Sequence, residues 1–181
     1  ALEILLGKRI HKGLVIEKRL NGMKRGIARA KKLKKIRLIE GGHPVPDEEA
    51  VTGTRRMLEI AEEADERDLV FFCVQGGCTS LTTLPAEGLC LNDVKETTDL
   101  LLQSGLEIKT INAVRAAITC LSWGRLASHI HPARIINLVV NDYVWSYPRD
   151  YSKDPYDLGC GPTVPVSDLK QEELEASLLL L

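Results

Sequence analysis

Aromatic residues are scarce in this 181-residue chain, at 4% of the composition, and the first seventy positions contain none. Without rings, that part of the chain has no stacking platform for unpaired bases. Long apolar runs are missing too. The longest, Leu69–Val74 and Leu178–Leu181, fall far short of the roughly 20 residues that a membrane-crossing helix needs, so no span is expected. The segment Ala1–Lys8 lacks the basic-then-apolar order and cleavage site of a secretory signal, and the chain starts without methionine, as a fragment or processed chain would. Cysteine pairing signals are also absent. Cys73, Cys78, Cys90, Cys120 and Cys160 form no CxxC motif and are odd in number, and two of them sit in segments that read as buried, which points to reduced thiols in a cytoplasmic protein. His11, His43, His129 and His131 are too scattered to build a structural zinc site with them.

What is present fits one ordinary domain over residues 1–181, expected to be part of a longer protein. The chain is 44% apolar and 27% charged with a net charge of −1, long enough to bury roughly two thirds of its unfolded surface. The near-zero charge conceals an asymmetry. Between Lys18 and Arg37 there are ten basic residues and no acid. Such a stretch reads either as a solvated lysine-rich loop or as a contact for a polyanion such as nucleic acid.

Local patterns alternate between strand and helix. Lys12–Ile16 and Lys35–Ile39 read as short β-branched strands separated by the basic stretch and its Asn21-Gly22 turn. Asp47 is a good N-cap for a helix running to about Ala64, with Glu48 and Glu49 favouring the positive end of its dipole. Asp68–Val74 has the continuous apolar character of a strand covered on both faces. Further helices are expected at about Asn92–Gln103, closed by Gly105, and at Ile108–Ser128, where Asn112, Arg115, Thr119 and Ser122 make a polar stripe beside the apolar one. Arg134–Val140 reads as another buried strand. A long irregular segment to Pro165 follows, holding Trp145 and all four tyrosines between Tyr143 and Tyr156, and Ser167 or Asp168 caps a short terminal helix. This alternation predicts an α/β fold, a three-layer α/β/α arrangement with a mostly parallel, Rossmann-like sheet.

The candidate chemistry lies at the ends of those strands. Gln75-Gly76-Gly77-Cys78-Thr79-Ser80 follows a strand, where glycines let backbone N–H groups approach an anion and the hydroxyls of Thr79 and Ser80 add donors. Its spacing matches neither GxxxxGK[ST] nor GxGxxG, which argues against a P-loop and against a dehydrogenase. Cys78 has two readings, a nucleophile activated by nearby N–H dipoles or a small residue filling a turn. Asp142 closes a strand where a carboxylate holds Mg²⁺, accepts a proton or simply caps a turn. Asn112 and Arg115 share a helix face suited to an anionic substrate, and His43 sits in a proline-flanked loop as a turn histidine or a base.

Several segments together resemble one family. They are Ile39-Glu40-Gly41-Gly42-His43-Pro44-Val45-Pro46-Asp47, the turn Gln75–Ser80, Leu101–Gly105, Ile111-Asn112-Ala113-Val114-Arg115, Gly124–Ala127 and Gly161-Pro162-Thr163-Val164-Pro165. In order and content they are similar to the class II glycerate 2-kinases, also called hydroxypyruvate reductases (the MOFRL-associated family). The resemblance implies ATP- and Mg²⁺-dependent phosphorylation of glycerate at its 2-hydroxyl, in a cleft between an α/β N-terminal domain and a smaller C-terminal one. It implies that Gly76, Gly77, Cys78, Thr79, Ser80, Asn112 and His43 meet substrate or phosphate, that Arg115 and Asp142 are catalytic, and that Asp142 binds the metal.

This chain departs from the family at marked places. Gln75 and Cys78 stand where the family's turn has a hydroxyl and a glycine. Ala116 and Ala117 replace a lysine and a histidine, Ser122-Trp123 replaces a lysine-glycine pair, and Asn141–Ser146 keeps one carboxylate of two. The family's Gly-Lys-Ala segment and C-terminal domain are not within these 181 residues. Since cations offset phosphate charge, a chain inactive by itself is expected. Two alternatives stand beside the kinase reading. One is a catalytically silent relative that binds a small anion or, through its tyrosine-rich segment, a protein partner; the other is a polyanion-binding module using Lys18–Arg37.

Overall fold

The computed structural model describes residues 2–19, 33–140 and 161–163. The chain opens with helix α1 (Leu2–Leu6) and a 3-10 turn (Gly7–Arg9), then strands β1 (Gly13–Lys18) and β2 (Ile36–Gly41). Helix α2 (Glu48–Glu62), strand β3 (Leu69–Val74) and the short helix α3 (Cys78–Leu81) follow. Helices α4 (Leu91–Gln103), α5 (Ile108–Ala117) and α6 (Arg125–Ile130) lead to strand β4 (Arg134–Val139). The α/β class and parallel pairing expected from the sequence are borne out. Among the described residues the strands form two parallel ribbons, β1 with β2 and β3 with β4, with Ile16 opposite Ile39 and Phe72 opposite Asn137.

Helix α2 forms where the sequence places it. Asp47 caps it, its Oδ1 accepting from the Ala50 N–H at 2.9 Å, and Glu48 and Glu49 occupy the first turn. Its buried face carries Ala50, Val51, Gly53, Thr54 and Ala61. Gly53 is needed for the close approach to the first ribbon, because a Cβ there would lie 3.0 Å from Ile16 and 3.4 Å from Ile39. The main core gathers Ala61, Phe72, Val74, Cys78, Leu121, Leu126, Ile130 and Ala133 between α2, α6 and the second ribbon. Each fully buried leucine among them contributes about 2 kcal/mol by leaving water.

Three local readings are corrected. The single helix expected over Ile108–Ser128 is two, because the chain turns through Trp123 (φ 59) and Gly124 (φ 75), both left-handed. Hydrogen bonds from Thr119 Oγ1 to the Arg115 carbonyl and from Arg125 to the carbonyls of Ser122 and Ala116 stabilise this break. The start of α6 has no side-chain cap; instead the N–H groups of Gly124 and Leu126 donate to the carbonyls of Gly161 and Pro162 at 2.7 and 3.0 Å. Second, the polar stripe of that region is internal, with Arg115, Thr119 and Ser122 all buried. Third, among the described residues β3 and β4 are covered on one face only. Val70, Phe72, Val74 and Ile135 point into the core, while Leu69, Ile136, Leu138 and Val140 remain 46, 40, 41 and 60% exposed. Cys73, whose segment reads as buried, is exposed on β3. The terminal helix and the tyrosine-rich segment lie outside the described residues, as does most of the basic stretch.

Candidate functional site

Strands β1, β2 and β3 end at Lys18, Gly41 and Val74, and the candidate residues collect around the loops that leave β2 and β3. This is where parallel α/β sheets place their ligands. After β2 the chain runs through Gly42 and His43 into a cis His43–Pro44 bond. After β3 it makes a left-handed turn at Gly77 (φ 91, ψ 0), which opens α3. The two loops touch. A Cβ at Gly77 would stand 2.7 Å from Cδ2 and 2.9 Å from Nε2 of the His43 ring, so the absence of a side chain there makes this approach possible.

Arg115 ties the two loops together from α5. It is only 7% exposed, and its Nη2 donates to Ser80 Oγ and, at 3.4 Å, to the Pro44 carbonyl. Ser80 in turn donates its hydroxyl proton to the Pro44 carbonyl at 2.6 Å. That hydroxyl is therefore a bracket between loops, and its proton is not available to a phosphate, contrary to the donor role read for it. Cys78 differs from its nucleophile reading as well: its thiol lies in the main core, burial pushes its pKa up, and its Sγ lies 3.7 Å from the Thr82 hydroxyl. Because it points inward, a cysteine in place of the family's glycine adds no bulk at the mouth of the turn.

The site is electropositive. Partial desolvation of the His43 ring lowers its pKa, and the charges of Lys18 and Arg115 lower it further. Below its ordinary value of 6.5 the unfolded chain thus binds a proton that the folded one resists. The His43-linked part of stability is expected to be complete above pH 6.5 and to decline as pH falls toward the lower folded value. The ring signals of His43 in an NMR titration check this: a midpoint below 6.5, rising when an anion is added, is the expected result.

Arg19, which sequence reasoning did not single out, also belongs here. It meets Asp47 at 3.0 Å, Glu49 at 3.4 Å and the Glu40 carbonyl at 3.3 Å, pinning the His43 loop to the end of β1. Burial pushes the Asp47 carboxyl up, but the N–H groups of Gly42 and Ala50 and the Arg19 guanidinium outweigh it and hold it below the usual range. Asp47→Ala is expected to cost about 1 kcal/mol as a lost cap. The difference from wild type in urea midpoints should be full above pH 4 and shrink as pH falls through the lowered folded value.

Of the other candidates, Gly76 and Thr79 flank Gly77 and Ser80 in the same turn, and Asn112 is half-buried one helical turn before Arg115. Asp142 lies outside the described residues. Among the described residues no group of three His, Cys, Asp or Glu side chains is placed to hold a metal ion, and no helix is long and apolar enough to cross a membrane. The signals for the residues that were missed were faint. Lys18 and Arg19 stood at the edge of the basic stretch, and Pro44 acts through its carbonyl, which a sequence does not advertise.

These features define an α/β domain with a cationic, glycine-lined corner at its strand ends. The domain of unknown function DUF4147 matches residues 1–177, and the chain belongs to that family. Its relatives carry a more specific name. The chain is 36% identical over 172 residues to the D-glycerate 2-kinase of Thermotoga maritima, covering 94% of this chain and 38% of that protein. It is 46% identical over 114 residues to a glycerate 2-kinase of Pyrococcus horikoshii, covering 63% of this chain and 26% of that one. The crystal structure of the glycerate kinase of Thermotoga maritima superimposes with a TM-score of 0.78 at 34% identity, over 98% of this chain and 39% of that one. The resemblance to the glycerate 2-kinase family is thereby borne out. The chain spans under two fifths of the length of the first of these relatives.

Proposed function

We propose that this chain supplies the phosphate- and substrate-facing corner of an enzyme that phosphorylates glycerate, or a closely related hydroxy acid, at its 2-hydroxyl to give 2-phosphoglycerate. The observation that carries this reading is the buried Arg115, held at the junction of the His43–Pro44 loop and the Gly77–Ser80 turn. A fixed guanidinium beside a glycine-lined turn suits an anion, since it neutralises charge without reorganising during the reaction. What the described residues offer an anion is the buried Arg115 guanidinium at the junction of the two loops, with the His43 ring packed against Gly77 beside it.

In this reading ATP supplies the phosphoryl group and Mg²⁺ offsets its charge. Gly76, Gly77 and Thr79 face the phosphates, Asn112 and His43 orient the anionic substrate, Cys78 and Ser80 shape the turn from behind, and Asp142 serves as metal ligand. Arg115 holds negative charge in place. A second domain completes the cleft, so the chain alone binds without turning over; the share of the relatives' length that it covers supports this. The protein acts in the cytoplasm.

Calorimetric titration of the chain with Mg·ATP and then D-glycerate tests the proposal, with Gln75→Ser as the companion, since Gln75 is exposed at the mouth of the turn. Saturable binding that tightens in Gln75→Ser supports a kinase-derived site. No binding of either ligand by chain that circular dichroism shows to be folded rejects it.

The silent-relative reading draws on one observation. Ala116, fully buried, stands where the family has a lysine, so α5 carries one cation fewer. Glycerate binding without nucleotide binding in the same titration would favour it.

A further inference from the structure

A second cationic site lies at the other end of the β1–β2 ribbon, where both strands begin. There a cavity of 280 Å³ opens between the ribbon and the C-terminal half of α2. His11, Lys12, Lys34, Lys35, Arg37 and Arg56 line it over an apolar floor of Leu14 and Ile60, and among the described residues no carboxylate lines it.

The register explains why these charges converge. Ile16 and its partner Ile39 face α2, against Gly53. Two residues earlier on the same face of the ribbon stand Leu14 and its partner Arg37. One turn beyond Gly53 along α2 stands Arg56, and a further turn on stands Ile60. The layer between helix and ribbon, apolar at Ile16 and Ile39, is therefore cationic where it reaches the cavity. Three nearby acids offset part of this charge and leave an excess of cations. Glu63 pairs with Lys12 and Glu59 with Arg56, while the Glu3 carboxylate accepts from the backbone N–H groups of Lys34, Lys35 and Ile36. Lys35 and Arg37 form no ion pair among the described residues.

Like charges gathered around one cavity repel one another, and an anion between them relieves that cost. The volume is near the lower end for small-molecule pockets, about 300 Å³, and too small for a nucleic-acid strand. The lack of aromatic residues before position 71 removes the stacking surface that unpaired bases use. We infer that this cavity binds a small compound carrying at least two phosphoryl groups, at a site separate from the glycine-lined turn.

The test titrates the full chain with inorganic pyrophosphate and, separately, with ADP, at low ionic strength. The variants are Arg37→Gln combined with Arg56→Gln, and Arg67→Gln as a surface control paired with Asp65. Both cavity arginines are exposed, so the fold is expected to persist and is checked by circular dichroism. Pyrophosphate affinity should fall at least about tenfold in the double variant and stay unchanged in Arg67→Gln. Amide signals of Gly13, Leu14 and Ile60 should move on binding to wild type. Equal affinity for the two ligands assigns recognition to the diphosphate, and tighter ADP binding assigns it to a nucleotide. Absence of saturable binding to wild type, unchanged affinity in the double variant, or shifts confined to residues 75–80 would overturn the inference. A single-stranded oligonucleotide that binds more tightly than pyrophosphate, and loses affinity in the double variant, would overturn it in favour of a nucleic-acid surface.

Discussion

Arg115→Ala is expected to lower stability by about 3 kcal/mol and to abolish anion binding at the glycine-lined turn. The guanidinium is nearly wholly buried and donates to Ser80 Oγ and the Pro44 carbonyl. Hydrogen bonds from a charged group contribute roughly 1.5–3 kcal/mol each when buried, and truncation also removes the packing of the aliphatic stem. For a chain of this size the loss corresponds to a melting point lower by roughly 6–12 °C. Arg115→Met separates the two contributions. It refills the stem's volume and should recover about 1 kcal/mol in urea unfolding, yet it restores no charge, so calorimetry should still show no anion binding. Anion binding retained by Arg115→Met would remove Arg115 from the site, and a stability loss below about 1 kcal/mol in Arg115→Ala would show that the loops do not depend on it.

Gly77→Ala is expected to cost about 2–3 kcal/mol, from two sources that a second substitution separates. At φ 91 an L-residue is strained by about 1–2 kcal/mol. The new Cβ would also stand 2.7 Å from the His43 ring, forcing one of the two loops to shift at a further cost of about 1 kcal/mol. His43 is exposed, so His43→Ala alone should be nearly neutral in stability. In the double variant the contact is gone and the backbone strain remains, so about 1 kcal/mol should return as a coupling energy in the urea cycle. Full additivity would mean that the His43 loop does not rest on the turn. Anion affinity should fall in all three variants, because each disturbs the corner where the loops meet.

The elements of this fold were largely legible along the chain. Asp47 with Glu48 and Glu49 announces α2, and the helix begins there because a carboxylate can satisfy its first N–H groups. The apolar run Leu69–Val74 announces β3, and Gly76-Gly77 announces the turn, since glycine tolerates the left-handed backbone found at Gly77. The break between α5 and α6 was not legible. Nothing local forces Trp123 to φ 59; the carbonyls of Gly161 and Pro162, nearly forty residues away, cap the second helix there, and the Trp123 ring stacks against Arg125 at 5.7 Å.

Residue type and spacing alone determined the α/β class, the parallel strands and the glycine-lined turn, because these follow from short-range propensity, periodicity and order along the chain; the family was legible through the resemblance of its ordered motifs. Which side chains enter the site was decided by tertiary structure. Burial turned Cys78 into a core residue and Ser80 into a bracket, made Arg115 an internal cation, and brought Arg37 and Arg56 to one cavity. The physical reason is that desolvation and long-range contact fix the charge, orientation and partners of a polar group, and neither can be read from its neighbours in sequence.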